Sequence, residues 1–323
     1  MLLLPNTCLL GTLCAPEAGR WSSKGNQMKI FLYLIFGLMC SQSIAGQVDP
    51  LAPILMESTF KIEGPTPNGK TAFGTCFIFL IPNPSDTNSS RIVLVTANHV
   101  LGDLAGDTAV VNLRNKTDGG GWTPRQHTIT IRTNNTPLWV SHPEADVAAL
   151  LVQLPVDIVN EQRWLNREYL ASDNLFKERD IQPGDELMCL GYPLSLQAND
   201  FGFPILRSGR IASYPVWPIS LAKTFLYDIP VYGGNSGGPV FYDFRKRRIP
   251  GDDSSKWIDT IGIAGLISKD VSQTVQVESY FESLTRRDPL GLAVVVPAEY
   301  IQQTLDLLIE TRLMPQQGGG PLR

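Results

Sequence analysis

Between residues 54 and 296 the chain is broken into about a dozen short runs rich in Val, Ile, Thr and aromatic side chains, each bounded by Gly, Pro, Asn or Asp. They fall at 54–62, 73–81, 91–96, 108–113, 128–132, 147–153, 186–191, 205–214, 224–229, 238–242, 257–268 and 292–296. β-Branched and aromatic residues pack well on a pleated surface, and the bounding residues supply turns. Strands at this spacing, without helical patterns between them, suit an all-β chain of barrels or sandwiches rather than βαβ units. Two stretches break the rhythm. Residues 156–184 are polar and end in Gln182-Pro183-Gly184-Asp185, which predicts a connecting segment, with a turn of helix near 160–172, between one strand group at 50–155 and another at 185–297. Pro297-Ala298-Glu299 then opens a run with Tyr300, Ile301, Leu305, Leu307, Leu308 and Leu313 at largely helical spacing, predicting a helix over 298–313 before a Gly-rich flexible tail at 314–323.

The first 45 residues read as lying outside the fold. Met28-Lys29 gives a basic start, an apolar run follows over 30–40, and Ser43-Ile44-Ala45 supplies the small residues of a cleavage site. The apolar run is shorter than the roughly 20 residues a membrane span requires, and Met39 rather than a small residue precedes Cys40. Residues 28–45 therefore read as a cleavable signal peptide, with an exported product, periplasmic or secreted, and no stable membrane anchor after cleavage. Residues 1–27 precede a complete signal and show no periodicity, so they read as a mis-assigned N-terminal extension, with a long leader as the alternative. Of the five cysteines, only Cys76 and Cys189 follow the signal. Two cysteines do not make a disulfide scaffold, and both lie in apolar runs, which suggests buried free thiols.

A composition of 43% apolar and 18% charged residues, with a formal charge of -4, is globular and argues against a basic surface for nucleic acid or anionic lipid. No Cys-x-x-Cys, His-Glu-x-x-His or Gly-x-x-x-x-Gly-Lys string occurs, which disfavours zinc-ribbon, zincin and P-loop chemistry. The sharpest local string is Gly233-Gly234-Asn235-Ser236-Gly237-Gly238-Pro239. A serine among glycines can expose its Oγ, and the surrounding N–H groups can converge on a developing oxyanion; the same residues would also make an ordinary flexible turn.

A nucleophilic Ser236 needs a base, and only His99, His127 and His142 exist. None follows Ser236, which excludes an α/β-hydrolase built on this serine; an Asp–His–Ser order lacks the α/β pattern to hold it, and His–Asp–Ser remains. His99 ends the apolar run 91–96, where a rigid strand can aim it. His127 follows a Gly-rich loop and His142 sits in a Ser-His-Pro-Glu turn, so both read as surface residues. Asp146, at the mouth of the apolar run 147–153, would be costly to bury without a partner and is the best third member; Asp103 and Asp107 follow His99 too closely and read as loop residues.

In that order, Val95-Thr96-Ala97-Asn98-His99-Val100, Asp146-Val147-Ala148-Ala149-Leu150 and Gly234-Asn235-Ser236-Gly237-Gly238-Pro239 resemble the trypsin-like (chymotrypsin-fold) serine peptidases. The nearest branches are the exported bacterial ones of high-temperature-requirement and glutamyl-endopeptidase type. The resemblance implies two six-stranded antiparallel β-barrels with a C-terminal α-helix and a site in the cleft between the barrels. It assigns Ser236 as nucleophile, His99 as base, Asp146 as orienter and the N–H groups of Gly234 and Ser236 as oxyanion hole. Hydrolysis of a protein or peptide substrate would proceed through an acyl-enzyme, with no metal or organic cofactor. There are departures. Asn235 replaces the aspartate that pairs with a new N-terminus in zymogens, predicting activity without that switch. Val100 replaces a cysteine, and Pro230 stands where a preference for Lys or Arg would place an acid. Ala264, Gly265 and Leu266 suggest a small or apolar primary pocket, and too few residues follow 312 for an attached PDZ domain. Asn88, Asn115 and Asn134 stand in sequons that matter only in a eukaryotic secretory path. A catalytically quiet binding module of the same fold is the second reading.

Overall fold

The computed structural model describes residues 50–247, 258–278 and 283–314; the signal, extension and tail readings lie outside these. Leu51, Ile54, Leu55 and Ser58 recur at helical spacing and are all buried. Leu51–Ser58 accordingly forms a helix, α1, so the strand expected from residue 54 begins only at Thr59. The β-branched stretch at 59–62 had masked the change of period.

Nine strands follow: β1 Thr59–Pro65, β2 Thr71–Asn83, β3 Asp86–Thr96, β4 Thr108–Lys116, β5 Trp122–Thr130, the short β6 Arg132–Thr133, β7 Thr136–Pro137 and β8 Val140–Ser141, and β9 Ala148–Leu151. Helix α2, Asn98–Gly102, lies between β3 and β4. Seven strands make one antiparallel sheet in the order β5-β4-β1-β2-β3-β9-β8. The resemblance implied six strands here; the addition is the two-residue β8, too short to carry an alternation. β2 is buried without interruption from Gly74 to Phe79, because both of its faces are covered.

The connecting segment contains α3 Val156–Glu161 and α4 Asp173–Glu178 instead of a single helical turn. Ser172 caps α4, its side chain accepting from the Leu175 N–H at 3.2 Å. The second half comprises β10 Glu186–Gly191, β11 Ile205–Ile211, β12 Phe225–Asp228, β13 Pro239–Arg247, β14 Ile258–Glu278 and β15 Ser283–Pro297, and these close into a six-stranded barrel ordered β10-β11-β12-β15-β14-β13. β14 and β15 run well past the barrel as a paired ribbon, from Ser272↔Pro289 to Glu278↔Ser283. Both faces of the ribbon are largely wet, so Ser272-Gln273-Thr274 carried no buried face that periodicity could detect.

Two apolar clusters make the core. One includes Phe60, Phe77, Phe79, Val93 and Val95, the other Phe225, Tyr227, Val240, Ile267 and Val295. The final helix, α5 Ala298–Leu308, leaves β15 of the second barrel but buries Tyr300, Ile301, Leu305 and Leu308 in the first cluster. Cys76 and Cys189 are buried free thiols, as expected. Burial pushes both thiols up, Cys189 to about 12, which leaves them protonated and inert.

Candidate active site

β3 stops at Thr96 and the chain turns at once into α2, so His99 is held by a buried strand on one side and a helical turn on the other. Asn98 locks this corner to β8: its Oδ1 accepts from Ser141 Oγ at 2.7 Å and Trp139 Nε1 at 3.0 Å. Five residues beyond β8, Asp146 precedes the fully buried Val147, whose backbone N–H donates to Ala145 O at 2.8 Å. The same turn is braced by His142, which was expected on the surface; its ring lies edge-on to Tyr300 of α5 at 4.8 Å, and its Nε2 is 3.0 Å from Gln303 Oε1. His127, also expected on the surface, belongs to β5 and places Nε2 2.9 Å from Gln153 O. Among the described residues neither ring hydrogen-bonds to Asp146 or Ser236, and neither lines the cavity beside Ser236.

Asp146 meets His99 twice. Its Oδ2 is 2.7 Å from His99 Nδ1, and its Oδ1 accepts from the His99 backbone N–H at 3.0 Å. Ser268 adds a third bond, donating from Oγ to Oδ2 at 2.6 Å. Burial would raise the Asp146 carboxyl pKa, but the hydrogen bonds from His99 and Ser268 and the neighbouring imidazole outweigh it and hold the carboxyl below its ordinary range. For His99 burial lowers the pKa, while the hydrogen bond and charge of Asp146, helped by Asp103, more than reverse this; Lys269 opposes them, and the net shift is upward. A proton on Nδ1 directed at the carboxylate leaves Nε2 as the acceptor. Ser268 had not been singled out. Its signal was a hydroxyl closing the otherwise apolar string Ile263-Ala264-Gly265-Leu266-Ile267, a place where a buried polar group needs a partner.

Ser236 and His99 line the same cavity, of about 190 Å³, together with Val231, Ile267 and Lys269. Among the described residues no hydrogen bond joins the Ser236 hydroxyl to the imidazole; such bonds are often long before substrate binds. The serine loop is moored through its carbonyls. Gly233 O accepts from Leu194 N at 2.7 Å, Gly234 O from Thr75 Oγ1 at 2.6 Å, Asn235 O from Gly238 N at 2.9 Å and Ser236 O from Thr75 N at 2.9 Å. In a planar trans peptide N–H and C=O point in opposite directions. Pinning the Gly233 and Asn235 carbonyls therefore turns the Gly234 and Ser236 N–H groups the other way, and among the described residues neither donates to a backbone carbonyl. Gly234 reaches this geometry with φ +99°, closed to most side chains.

Gly237 is a tightly confined point of the loop. At φ +83° an added Cβ would overlap the Thr75 carbonyl oxygen and Thr96 Oγ1 of the first sheet. Gly237→Ala is expected to cost about 3 kcal/mol of stability, read from the denaturant midpoint, because the Thr75 carbonyl is backbone and the positive φ is itself strained for alanine.

The remaining candidates for the primary pocket fall elsewhere. Ala264 and Leu266 are fully buried, Gly265 pairs with Val240 and Pro297 inside the barrel, and Pro230 lends its carbonyl to Arg207 on the exposed side. The walls beside Ser236 come from 231–233 and from Ile267, Lys269 and Asp270, which follow the expected residues along β14, and from Arg287 on the ribbon of β15. Neither the strand run nor the apolar spacing carried that offset.

A closed six-stranded antiparallel barrel beside a second antiparallel sheet, with a terminal helix returning to the first half, is the chymotrypsin-like fold. The chain belongs to the trypsin-like peptidase domain family, whose pattern it matches over residues 74–249, from the glycine before Thr75 to beyond the serine loop. Among solved structures it is similar to a thermostable serine protease AL20 from an extremophilic microorganism, with 12% identity and a TM-score of 0.44 over 80% of this chain and 100% of that one. It is also similar to the protease Anisep from Arthrobacter nicotinovorans, with 13% identity and a TM-score of 0.46 over 79% and 97%. No curated protein matches the chain. Family membership implies protein or peptide substrates.

Proposed function

We propose that the protein is an exported serine endopeptidase in which Ser236 attacks the scissile carbonyl and His99, oriented by Asp146, takes and returns the proton. The observation that carries this reading is the double engagement of His99 by Asp146 in the cavity that Ser236 also lines. A carboxylate bound to both the ring and the backbone of one histidine fixes its tautomer and its position. The Gly234 and Ser236 N–H groups supply the two donors that a tetrahedral oxyanion needs. Each step balances: the Ser236 proton passes to Nε2 as the acyl bond forms, then to the leaving amine, and water repeats the sequence to release the acid. Residues 28–45 support export, and Asn235 before the serine supports activity without an N-terminal switch.

Peptide and ester substrates, each assayed with and without a fluorophosphonate, test the reading. Cleavage of both, stopped by the probe, is the expected result. Ester turnover without peptide cleavage would make the site an esterase, and an unlabelled wild type would favour the binding module.

The pH dependence follows from His99. The base works only when neutral, and its pKa lies above the ordinary value of about 6.5, so the acid limb of kcat/KM is expected above that pH. Lys269 disfavours the imidazolium. Lys269→Gln should therefore raise the imidazole pKa further and move the acid limb to higher pH, lowering activity on that limb at any fixed pH; an unmoved or lower limb in the pH profile would contradict the assignment.

A further inference from the structure

We infer that Arg114 is a positioning residue for the oxyanion hole, holding from the first sheet the 192–203 loop that fixes the peptide carrying the Gly234 N–H. The inference rests on the endopeptidase reading and names what keeps its site assembled. Arg114, on β4, is fully buried, and its guanidinium lies between the Phe60 and Phe203 rings, 4.4 Å from the centre of each. Nη1 donates to Tyr192 Oη at 3.0 Å and Gly202 O at 2.8 Å. Nη2 donates to the carbonyls of Met56, Glu57 and Thr59 at 2.9, 3.0 and 2.8 Å. A buried cation is costly to desolvate, and here uncharged oxygens and two ring faces offset that cost. Three of the acceptors lie at the end of α1. The other two stand near the two ends of the loop that joins β10 to β11.

That loop reaches the serine in two places. Leu194 N donates to Gly233 O at 2.7 Å, and Tyr192 N donates at 3.3 Å to Thr75 Oγ1, the same hydroxyl that donates to Gly234 O. The Gly233 carbonyl and the Gly234 N–H belong to one planar peptide, so whatever places Leu194 places that donor. Leu194 and Ser195 stand at φ +52° and +64°, a conformation that residues other than glycine keep only when their surroundings impose it. Those surroundings include Arg114 at the ends of the loop and Lys61 of β1, whose Nζ donates to Ser195 Oγ at 3.1 Å. Both constraints cross from the first half of the chain to the second. A lysine at 114 would keep the charge but gather its donors on one atom, where the arginine spreads them over two.

The test is kcat and KM for a peptide substrate in R114K, Y192F and K61M, each expressed per site titrated with a fluorophosphonate, together with the acid limb of the pH profile and the inhibition constant of a peptide aldehyde. The aldehyde probes the hole directly: Ser236 Oγ bonds to its carbon, the carbonyl π pair moves to oxygen and the hydroxyl proton passes to His99. R114K is expected to lower kcat per site by on the order of 10- to 100-fold and weaken the aldehyde by a similar factor, with KM changed less than about threefold and the acid limb unmoved. Y192F removes an acceptor on the loop side alone and leaves the α1 bonds of Arg114 in place, and K61M removes the link to Ser195; both should show the same split at a smaller size. A role confined to holding α1 would lower the unfolding midpoint and the number of titrated sites in R114K, yet leave turnover per site at the wild-type value in all three variants, and that result overturns the inference. Where R114K does not fold, Y192F and K61M decide alone, and wild-type turnover per site with wild-type aldehyde affinity in both overturns it. A fall in kcat per site without a matching loss of aldehyde affinity, with a moved acid limb, or with an equal rise in KM overturns it as well, leaving the endopeptidase reading intact. Wild-type protein that is neither labelled nor cleaves peptides overturns the reading beneath, and this inference with it.

Discussion

Ser236→Ala should lower kcat by roughly 10⁶-fold, the scale seen when a serine nucleophile that works as a unit with its base is removed. The substitution deletes only the hydroxyl. Its backbone carbonyl keeps the bond from Thr75 N, Gly238 keeps its bond to Asn235, and the glycines that define the loop are untouched. Among the described residues the hydroxyl itself holds no other group. The variant should therefore unfold at nearly the wild-type midpoint while losing peptide turnover, measured by single-turnover cleavage alongside thermal denaturation. A variant retaining a tenth of wild-type activity would remove Ser236 from the chemistry.

The next largest effect is expected for Asp146→Asn, about 10⁴-fold in kcat, on tautomer grounds. Both carboxylate oxygens accept: Oδ1 from the His99 backbone N–H, Oδ2 from the His99 ring and from Ser268 Oγ. An amide offers one acceptor and one donor. If its oxygen keeps the backbone N–H, its NH₂ faces Nδ1, which must then be unprotonated, and the proton moves to Nε2, where it blocks proton uptake from Ser236. If the amide is turned over, two donors meet at the backbone, which costs an unsatisfied hydrogen bond. The charge is lost either way, and with it the main influence raising the His99 pKa against burial and Lys269. The acid limb of the pH profile should thus move down as the rate falls. A merely structural role for Asp146 would lower activity without moving that limb. Ser268→Ala should shift the Asp146 carboxyl upward by removing one of its donors, a smaller effect in the same network.

The sequence made much of this site legible for a specific reason. His99, Asp146 and Ser236 all stand next to well-marked elements: the ends of buried strands in the first two cases, a cluster of glycines in the third. A strand with an apolar core face announces its register, and a polar residue at its end inherits a defined position. The features that escaped lie where no such face exists. Ser268 and Lys269 sit where β14 leaves the barrel, and Arg287 rides on a ribbon wet on both sides, so neither carried a periodic signal, and the resemblance pointed to Ala264–Leu266 instead. The moorings at Thr75 and Leu194 were invisible because they depend on long-range bonds to backbone carbonyls, and a chain read locally carries no trace of them. Helix α1 was lost to a neighbouring β-branched run, and the braces on the Asp146 turn, Tyr300 and Gln303, come from a helix more than 150 positions away in the chain.

The central claim is spatial, that one hydroxyl, one imidazole and two backbone N–H groups converge on a single reacting atom. A crystal structure of the fluorophosphonate-treated protein tests it most directly. The expected result is phosphorus bonded to Ser236 Oγ, its free oxygen about 2.7–3.1 Å from both the Gly234 and Ser236 nitrogens, and His99 Nε2 within hydrogen-bonding range of the adduct. Phosphorus on another residue, or a phosphoryl oxygen turned to solvent with His99 remote from Ser236, would contradict the account.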